Sequence, residues 1–228
     1  DGITLWPLCE RRSADGTTKY LVRTPRGAVI ESVLIPQVGR GPAAERRRTL
    51  CISSQWGCAM KCSFCLTGDL GLKGQLSAGE IAGQVLEVNR RLPEGERVTH
   101  IVFMGMGEPL HNLDAVLPAI EILTHTCGIN LSHRNITVST VGLIPQLQRL
   151  ASSSPVNLAV SLNASTQAQR LEVMPVSKKY PLEDLIAACR ELPLTRGRRV
   201  TLEYVMMAGF NDDLSDADRL IMLLRGAP

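Results

Sequence analysis

Aromatic side chains are scarce: they make up 4% of the 228 residues, with two Trp, three Tyr and three Phe. With 44% hydrophobic residues, the core must be aliphatic, and nothing in the composition resembles a disordered chain. No apolar run approaches the ~20 residues that span a bilayer. No apolar stretch near Asp1 reads as a signal peptide. Neither sign of charge dominates: 25 Lys and Arg stand against 22 Asp and Glu, a net +3. That balance permits an RNA partner without arguing for one. The four histidines, His100, His111, His125 and His133, form no metal-ligand spacing. Low-complexity tracts, short repeats and a linker within the α/β region are all missing. These absences predict a soluble, cytoplasmic protein without a membrane partner. The chain opens on Asp1 and stops at Pro228 just after an apolar run, so it reads as a piece of a longer protein.

Two β-rich runs, "KYLVRT" (19–24) and "AVIESVLIP" (28–36), flank a Pro-Arg-Gly turn and predict a small β-hairpin. A basic loop with Arg40 and Arg46 to Arg48 follows. Residues 1–48 are thus expected to form a hairpin segment before a main domain over 49–228. Strand-like runs then cover 49–55, 99–105, 135–141, 156–162 and 200–207. Helical patterns cover 77–91, 112–126, 144–153, 181–192 and 215–226. Ser77 with Glu80 reads as a capping box, and Asn112, Pro181 and Ser215 sit at helix starts. Five β-then-α units, with strands apolar enough for burial on both faces, predict a parallel sheet. Periodicity leaves an open sheet and a barrel equally compatible.

What the chain does have is cysteine, unevenly placed. Four of seven fall in "CISSQWGCAMKCSFC", residues 51–65. An odd total, clustered on one loop, argues against a secreted disulfide scaffold. Cys58, Cys62 and Cys65 follow CxxxCxxC, and Cys51 stands apart on a strand. A structural zinc site wants four ligands, usually as two CxxC-like pairs, and a strand cysteine is badly placed as the fourth. A cubane iron–sulfur cluster suits the spacing better, because one short loop can reach three corners. Three protein ligands leave one iron open. Cys9, Cys127 and Cys189 read as structural.

Downstream, "GMGEP" (105–109) follows the second strand of the α/β region, and its glycines would let backbone approach a ligand. Ser139, Ser161, Leu162 and Asn163 lie near C-terminal strand ends, where ligands bind in βα barrels. Taken singly, each serine reads as a satisfied strand-end hydroxyl. The basic segments Arg46 to Arg48, Lys178 with Lys179, and Arg196 to Arg199 are either phosphate contacts or solvated faces.

Together the cysteine loop, "FMGMGEPLHNL", "ITVSTVGLIPQL", "AVSLNAS" and "MPVSKKYPLEDLIAACR" resemble the radical S-adenosylmethionine (SAM) superfamily. Within it they resemble the RNA adenine methyltransferases of the RlmN/Cfr family, from about residue 15 onward. The resemblance implies a partial (β/α)6 barrel, with five βα units present and the sixth strand missing. It implies a 4Fe–4S cluster on Cys58, Cys62 and Cys65, and SAM held by Gly107, Glu108, Ser139, Ser161, Leu162 and Asn163. Asn163 stands where some relatives carry His. The implied partners are ribosomal RNA, transfer RNA and an electron donor such as a flavodoxin, with the protein a monomer. The implied reaction methylates carbon 2 of an adenine through a methylated cysteine, and carbon 8 is the alternative. Glu31 would accept the proton, and the Cys51 thiol would resolve the protein–RNA intermediate. No cysteine after Cys189 matches the methyl carrier, so these residues alone are expected to cleave SAM slowly without methylating RNA. A metal-binding RNA module without chemistry is the reading from another class. It would not need GMGEP and the strand-end serines together.

Overall fold

The computed structural model describes residues 5–36, 47–194 and 198–225. Arg40, Arg46 and Arg196 lie outside the described residues. One eight-stranded sheet organises the chain in the order β1-β2-β3-β4-β7-β8-β9-β10. Strands β1 (Trp6–Arg12), β2 (Thr18–Arg23), β3 (Val29–Pro36) and β4 (Arg48–Cys51) pair antiparallel. Strands β7 (His100–Phe103), β8 (Ile136–Thr140), β9 (Asn157–Ser161) and β10 (Val200–Glu203) continue from β4 in parallel. A separate two-stranded ladder joins β5 (Gln55–Trp56) to β6 (Gly74–Gln75).

The expected hairpin thus has three strands, and it is hydrogen-bonded into the main sheet through β3 and β4. β1 escapes the sequence pattern because "WPLCERR" carries no alternation and is exposed along its whole length. The first strand of the α/β region is shorter than its apolar run. The chain leaves the sheet after Cys51, and Gln55 and Trp56 pair elsewhere.

Register fixes which side chains share a face, because directly paired residues project to the same side. Leu50, Ile101 and Ile136 form one lateral row, and Val138 pairs with Leu158. These residues are all buried and pack against the helices. The opposite face carries Cys51, Val102, Thr137, Ser139, Ala159, Ser161, Thr201 and Glu203. Burial of apolar residues on both faces, expected from the apolar runs, is therefore corrected: one face is aliphatic and the other, hereafter the free face, is largely polar. Among the described residues, none of these free-face side chains belongs to the aliphatic core cluster that packs against the helices.

The helices follow from caps and stripes. In helix Ala78–Asn89, Ser77 and Glu80 form the expected capping box. Ile81, Val85 and Val88 recur at helical spacing and are buried, each stabilising by about 1.5–3 kcal/mol. The same helix anchors the antiparallel strands. Arg26 bonds the buried Glu80, while Ser32 Oγ donates to Gln84 Oε1 at 2.8 Å. At the last helix, Leu214–Leu223, the cap is Asp213 with Asp216 in the reciprocal role, not Ser215. Asn112 makes no cap bond; its amide instead donates to the carbonyls of Ser54 and Leu76 at 2.7 and 2.8 Å, tying the second βα turn to the first.

Candidate functional site

At the C-terminal ends of the parallel strands lies a cavity of about 400 Å³. Cys58, Cys62 and Cys65 line it from the loop after β4, Gly107 and Glu108 from the loop after β7. Ser139, Ser161, Asn163 and Glu203 line it from the ends of β8, β9 and β10. Strand-end residues from four successive strands thus meet the cysteine loop, as the βα topology requires.

The loop is held in shape by its own backbone. Gly57 has φ +79°, and a Cβ there would stand 1.8 Å from the Gly71 carbonyl oxygen. Cys58 N–H donates to that same oxygen at 3.2 Å, and Ser63 N–H reaches the Val173 carbonyl at 3.0 Å. Met60 N–H points at Cys58 Sγ at 3.5 Å, a contact that favours negative charge on the sulfur. Burial raises the Cys58 thiol above its usual range. Burial, with Cys58 and Cys65 nearby, pushes Cys62 up to about 12. As free thiols these two are protonated at neutral pH, so loading a metal cluster releases their protons. Among the described residues no three His, Cys, Asp or Glu side chains are grouped to hold a metal ion. The thiols of a cubane each hold a different iron and need not meet at one point.

Glu108 is 3% exposed, and both its oxygens accept hydrogen bonds. Its Oε1 accepts from Thr140 Oγ1 at 2.7 Å and Leu110 N–H at 3.0 Å, and Oε2 accepts from Val141 N–H at 2.9 Å. Burial pushes its carboxyl up to about 7 against these donors. The side chain clamps the β7 loop to the end of β8, with one lone pair of Oε2 left over. Gly107 is required by the chain itself. Its φ is +100°, and a Cβ would stand 2.4 Å from Gln55 Cβ. Packing against Gln55 thus requires a glycine here, and the same residue lines the cavity.

Ser139 Oγ donates to Glu203 Oε2 at 2.5 Å, and Ser161 Oγ to the same oxygen at 3.5 Å. Glu203 was not singled out in the sequence. The available signal was a carboxylate inside the otherwise apolar run "VTLEYVMM". Asn163 adopts φ +56°. Its Oδ1 accepts from Val205 N–H at 2.9 Å, whereas its Nδ2 has only the Met174 thioether at 3.5 Å, a weak acceptor. Leu162 is not brought to the cavity. Its side chain packs with Leu182 and Ile186, its N–H donates to Glu203 O, and its carbonyl accepts from Arg170 Nε.

Arg170, also missed, is wholly buried. It donates to the carbonyls of Val141, Ser161 and Leu162 and to Ser177 Oγ. One guanidinium therefore fixes the ends of β8 and β9 and the loops that leave them. Burial lowers it to about 10, which leaves it charged at neutral pH.

Glu31 and Cys51 do not line the cavity, but both lie on the free face that carries Ser139, Ser161 and Glu203. Cys51 is buried, and burial pushes its thiol up to about 11 against a smaller lowering influence of the Met104 backbone. Glu31 is half-buried, its side chain 41% exposed, and paired with Lys19 at 3.1 Å. Of the described basic segments, Arg48 is engaged by Glu96 at 2.6 Å and Lys179 lies over Tyr180.

The donor set fits an iron–sulfur cluster with a bound cofactor. Three thiols form one wall, and the facing wall offers an under-used Asn163 donor, two hydroxyls and the Glu203 carboxylate. The superfamily's cluster and SAM would be held by these groups.

The model of the radical SAM superfamily matches residues 52–221. The protein named dual-specificity RNA methyltransferase RlmN from Syntrophobacter fumaroxidans is 53% identical over 219 residues, 96% of this chain and 62% of that protein. Its namesake from Geobacter sulfurreducens is 52% identical, covering 99% of this chain and 59% of that protein. A crystal structure of a radical SAM methyltransferase from Sphaerobacter thermophilus superposes with a TM-score of 0.90 at 46% identity, over 98% of this chain and 64% of that one. The chain thus spans about three fifths of the length of the curated relatives it matches. From the thiol loop to the last helix, this chain belongs to the radical SAM superfamily.

Proposed function

We propose that this chain is the catalytic core of an RNA methyltransferase acting on carbon 2 of an adenine, in ribosomal RNA and transfer RNA, in the cytoplasm. The observation that carries the reading is the common free face: the cavity residues Ser139, Ser161 and Glu203 share it with Cys51 and Glu31. The names of the relatives support the RNA class of substrate.

Cys58, Cys62 and Cys65 would hold the cluster. Glu203, Ser139, Ser161 and Asn163 would orient SAM from the strand ends, while Glu108 keeps two of those loops in register. When bound, the cluster and SAM supply radical chemistry, which suits an adenine ring carbon that is not nucleophilic. Glu31 takes up the proton that leaves that carbon. Its side chain is 41% exposed, so the proton passes on to water. The Cys51 thiol, protonated at neutral pH, gives up that proton and forms a sulfur–sulfur bond to the carrier cysteine as the carrier's bond from sulfur to the RNA-bound carbon breaks; the electron pair of that bond takes up a proton and leaves a methyl group on the freed RNA. The target base must leave its stack to reach this face.

The test is anaerobic reconstitution followed by SAM, a low-potential reductant such as reduced flavodoxin, and unmodified ribosomal RNA. A brown protein whose spectrum changes with SAM, 5′-deoxyadenosine in solution, and 2-methyladenosine in RNA from the full-length protein are expected. A colourless zinc protein, or methyl groups only on carbon 8, contradicts the reading.

A further inference from the structure

One row of residues runs across the free face from the outer edge of the sheet to its centre. Arg11 pairs with Lys19, Lys19 with Val33, Val33 with Cys51, and Cys51 with Val102. All five side chains project to the same side. Strand spacing puts Lys19 about 10 Å and Arg11 about 14 Å from Cys51. A second short row runs parallel to it: Trp6 pairs with Arg23 and Arg23 with Val29, which lies two residues before Glu31 on the same side.

Among the described residues, this part of the free face is open. Helix Ala78–Asn89 lies on the other side of β3, where Ser32 bonds Gln84, and Glu80 holds Arg26 in the β2–β3 turn. Arg11, Lys19 and Arg23 are exposed, and Trp6 is 49% exposed. Glu31 is the one carboxylate on this side among the described residues of β1–β3, and Lys19 neutralises it. Arg11 and Arg23 make no ion pair or side-chain hydrogen bond with the described residues. Two free guanidinium groups and an exposed indole suit one class of partner. Guanidinium forks match phosphate oxygens, and an indole stacks on a base of any identity. The row also leads directly to Cys51, so a strand lying along it would have its next nucleotide over the reactive face.

We propose that the free face of β1–β3 is the docking platform for the single-stranded RNA segment that carries the target nucleotide, with Arg11 and Arg23 on phosphates and Trp6 beneath a base. This rests on the RNA substrate proposed above. Lys19 holds Glu31 in place at the inner end of the platform.

The test is fluorescence anisotropy of a dye-labelled RNA stem–loop with unpaired adenosines, titrated with the reconstituted protein over a range of salt. Each phosphate contact on a single strand contributes roughly 0.7 to the slope of log affinity against log salt. The Arg11→Gln/Arg23→Gln variant is expected to lower that slope by roughly 1.4 and to weaken binding about tenfold or more. Trp6→Ala is expected to weaken binding about tenfold with the slope unchanged. Iron content and the SAM-dependent spectral change stay at parental values in both, because these side chains lie outside the cavity. Arg11→Lys/Arg23→Lys should restore the slope; failure to do so overturns the phosphate assignment. Variants with the parent's slope and affinity, while the parent binds RNA, overturn the platform and leave the proposed function standing. A parent that binds no RNA at any salt overturns both.

Discussion

Glu31 and Cys51 stand on one face of neighbouring strands, a diagonal step apart: Val33, two residues beyond Glu31, is the direct partner of Cys51. Diagonal neighbours across an antiparallel pair are roughly 7–8 Å apart. On the proposed function, one target nucleotide would therefore meet both the carboxylate and the thiol. In the full-length protein, Glu31→Gln is expected to abolish RNA methylation while SAM cleavage continues. Its stability should change by less than about 1 kcal/mol, because only an exposed pair with Lys19 is lost. Full methylation by this variant, read by mass spectrometry of RNA, would remove Glu31 from the chemistry.

Glu108 acts on the fold, and on the proposed function through it on the cofactor. Glu108→Ala leaves the Leu110 and Val141 N–H groups without an acceptor, at roughly 1–3 kcal/mol each. Lower thermal stability and weaker SAM binding are expected together, with iron retained. An unchanged unfolding temperature would contradict the clamp.

Glu203 separates binding from stability. Glu203→Gln keeps the size of the side chain and removes its charge, so the fold should persist. Hydrogen bonds to a charged acceptor contribute roughly 1.5–3 kcal/mol, so SAM affinity should fall roughly tenfold to a hundredfold. Calorimetric titration of the reconstituted protein reads this directly. Parental affinity would show that Glu203 merely braces Ser139 and Ser161.

The site was legible where chemistry is concentrated in short spacing. Three cysteines in eight residues and a glycine-rich strand exit announce themselves, and helix 144–153 matches its apolar stripe end to end. Groups that act singly from distant segments were not legible. Arg170 sits in a short helix, Gln167–Val173, that carries no strong stripe. Its role appears only when the ends of β8 and β9 come together around it. Glu203 likewise gains meaning only beside Ser139, 64 positions away in the chain. The strand runs read as apolar on both sides because Val102 and Ala159 lie on the polar face among Cys51, Ser139 and Ser161. Register, not composition, separates the two faces.

Alkaline pH should destabilise the iron-free protein. Cys51 and Cys189 both rise from 9.0 to about 11 on burial. Between these values the unfolded chain has lost thiol protons that the folded chain retains, so stability falls as pH rises through this window. The loss is on the order of 2 kcal/mol for each thiol. Urea unfolding under reducing conditions, below pH 9 and near pH 11, measures it. The Cys51→Ala/Cys189→Ala variant should show a smaller slope, and an equal slope would assign the effect elsewhere.

The central claim is that Cys58, Cys62 and Cys65 hold the cluster and Cys51 does not. Iron and acid-labile sulfide, measured after anaerobic reconstitution of four single Cys→Ala variants, test it most directly. The account predicts loss of the cluster at positions 58, 62 and 65, and a parental content in Cys51→Ala. A cluster retained without Cys62, or lost without Cys51, would contradict it.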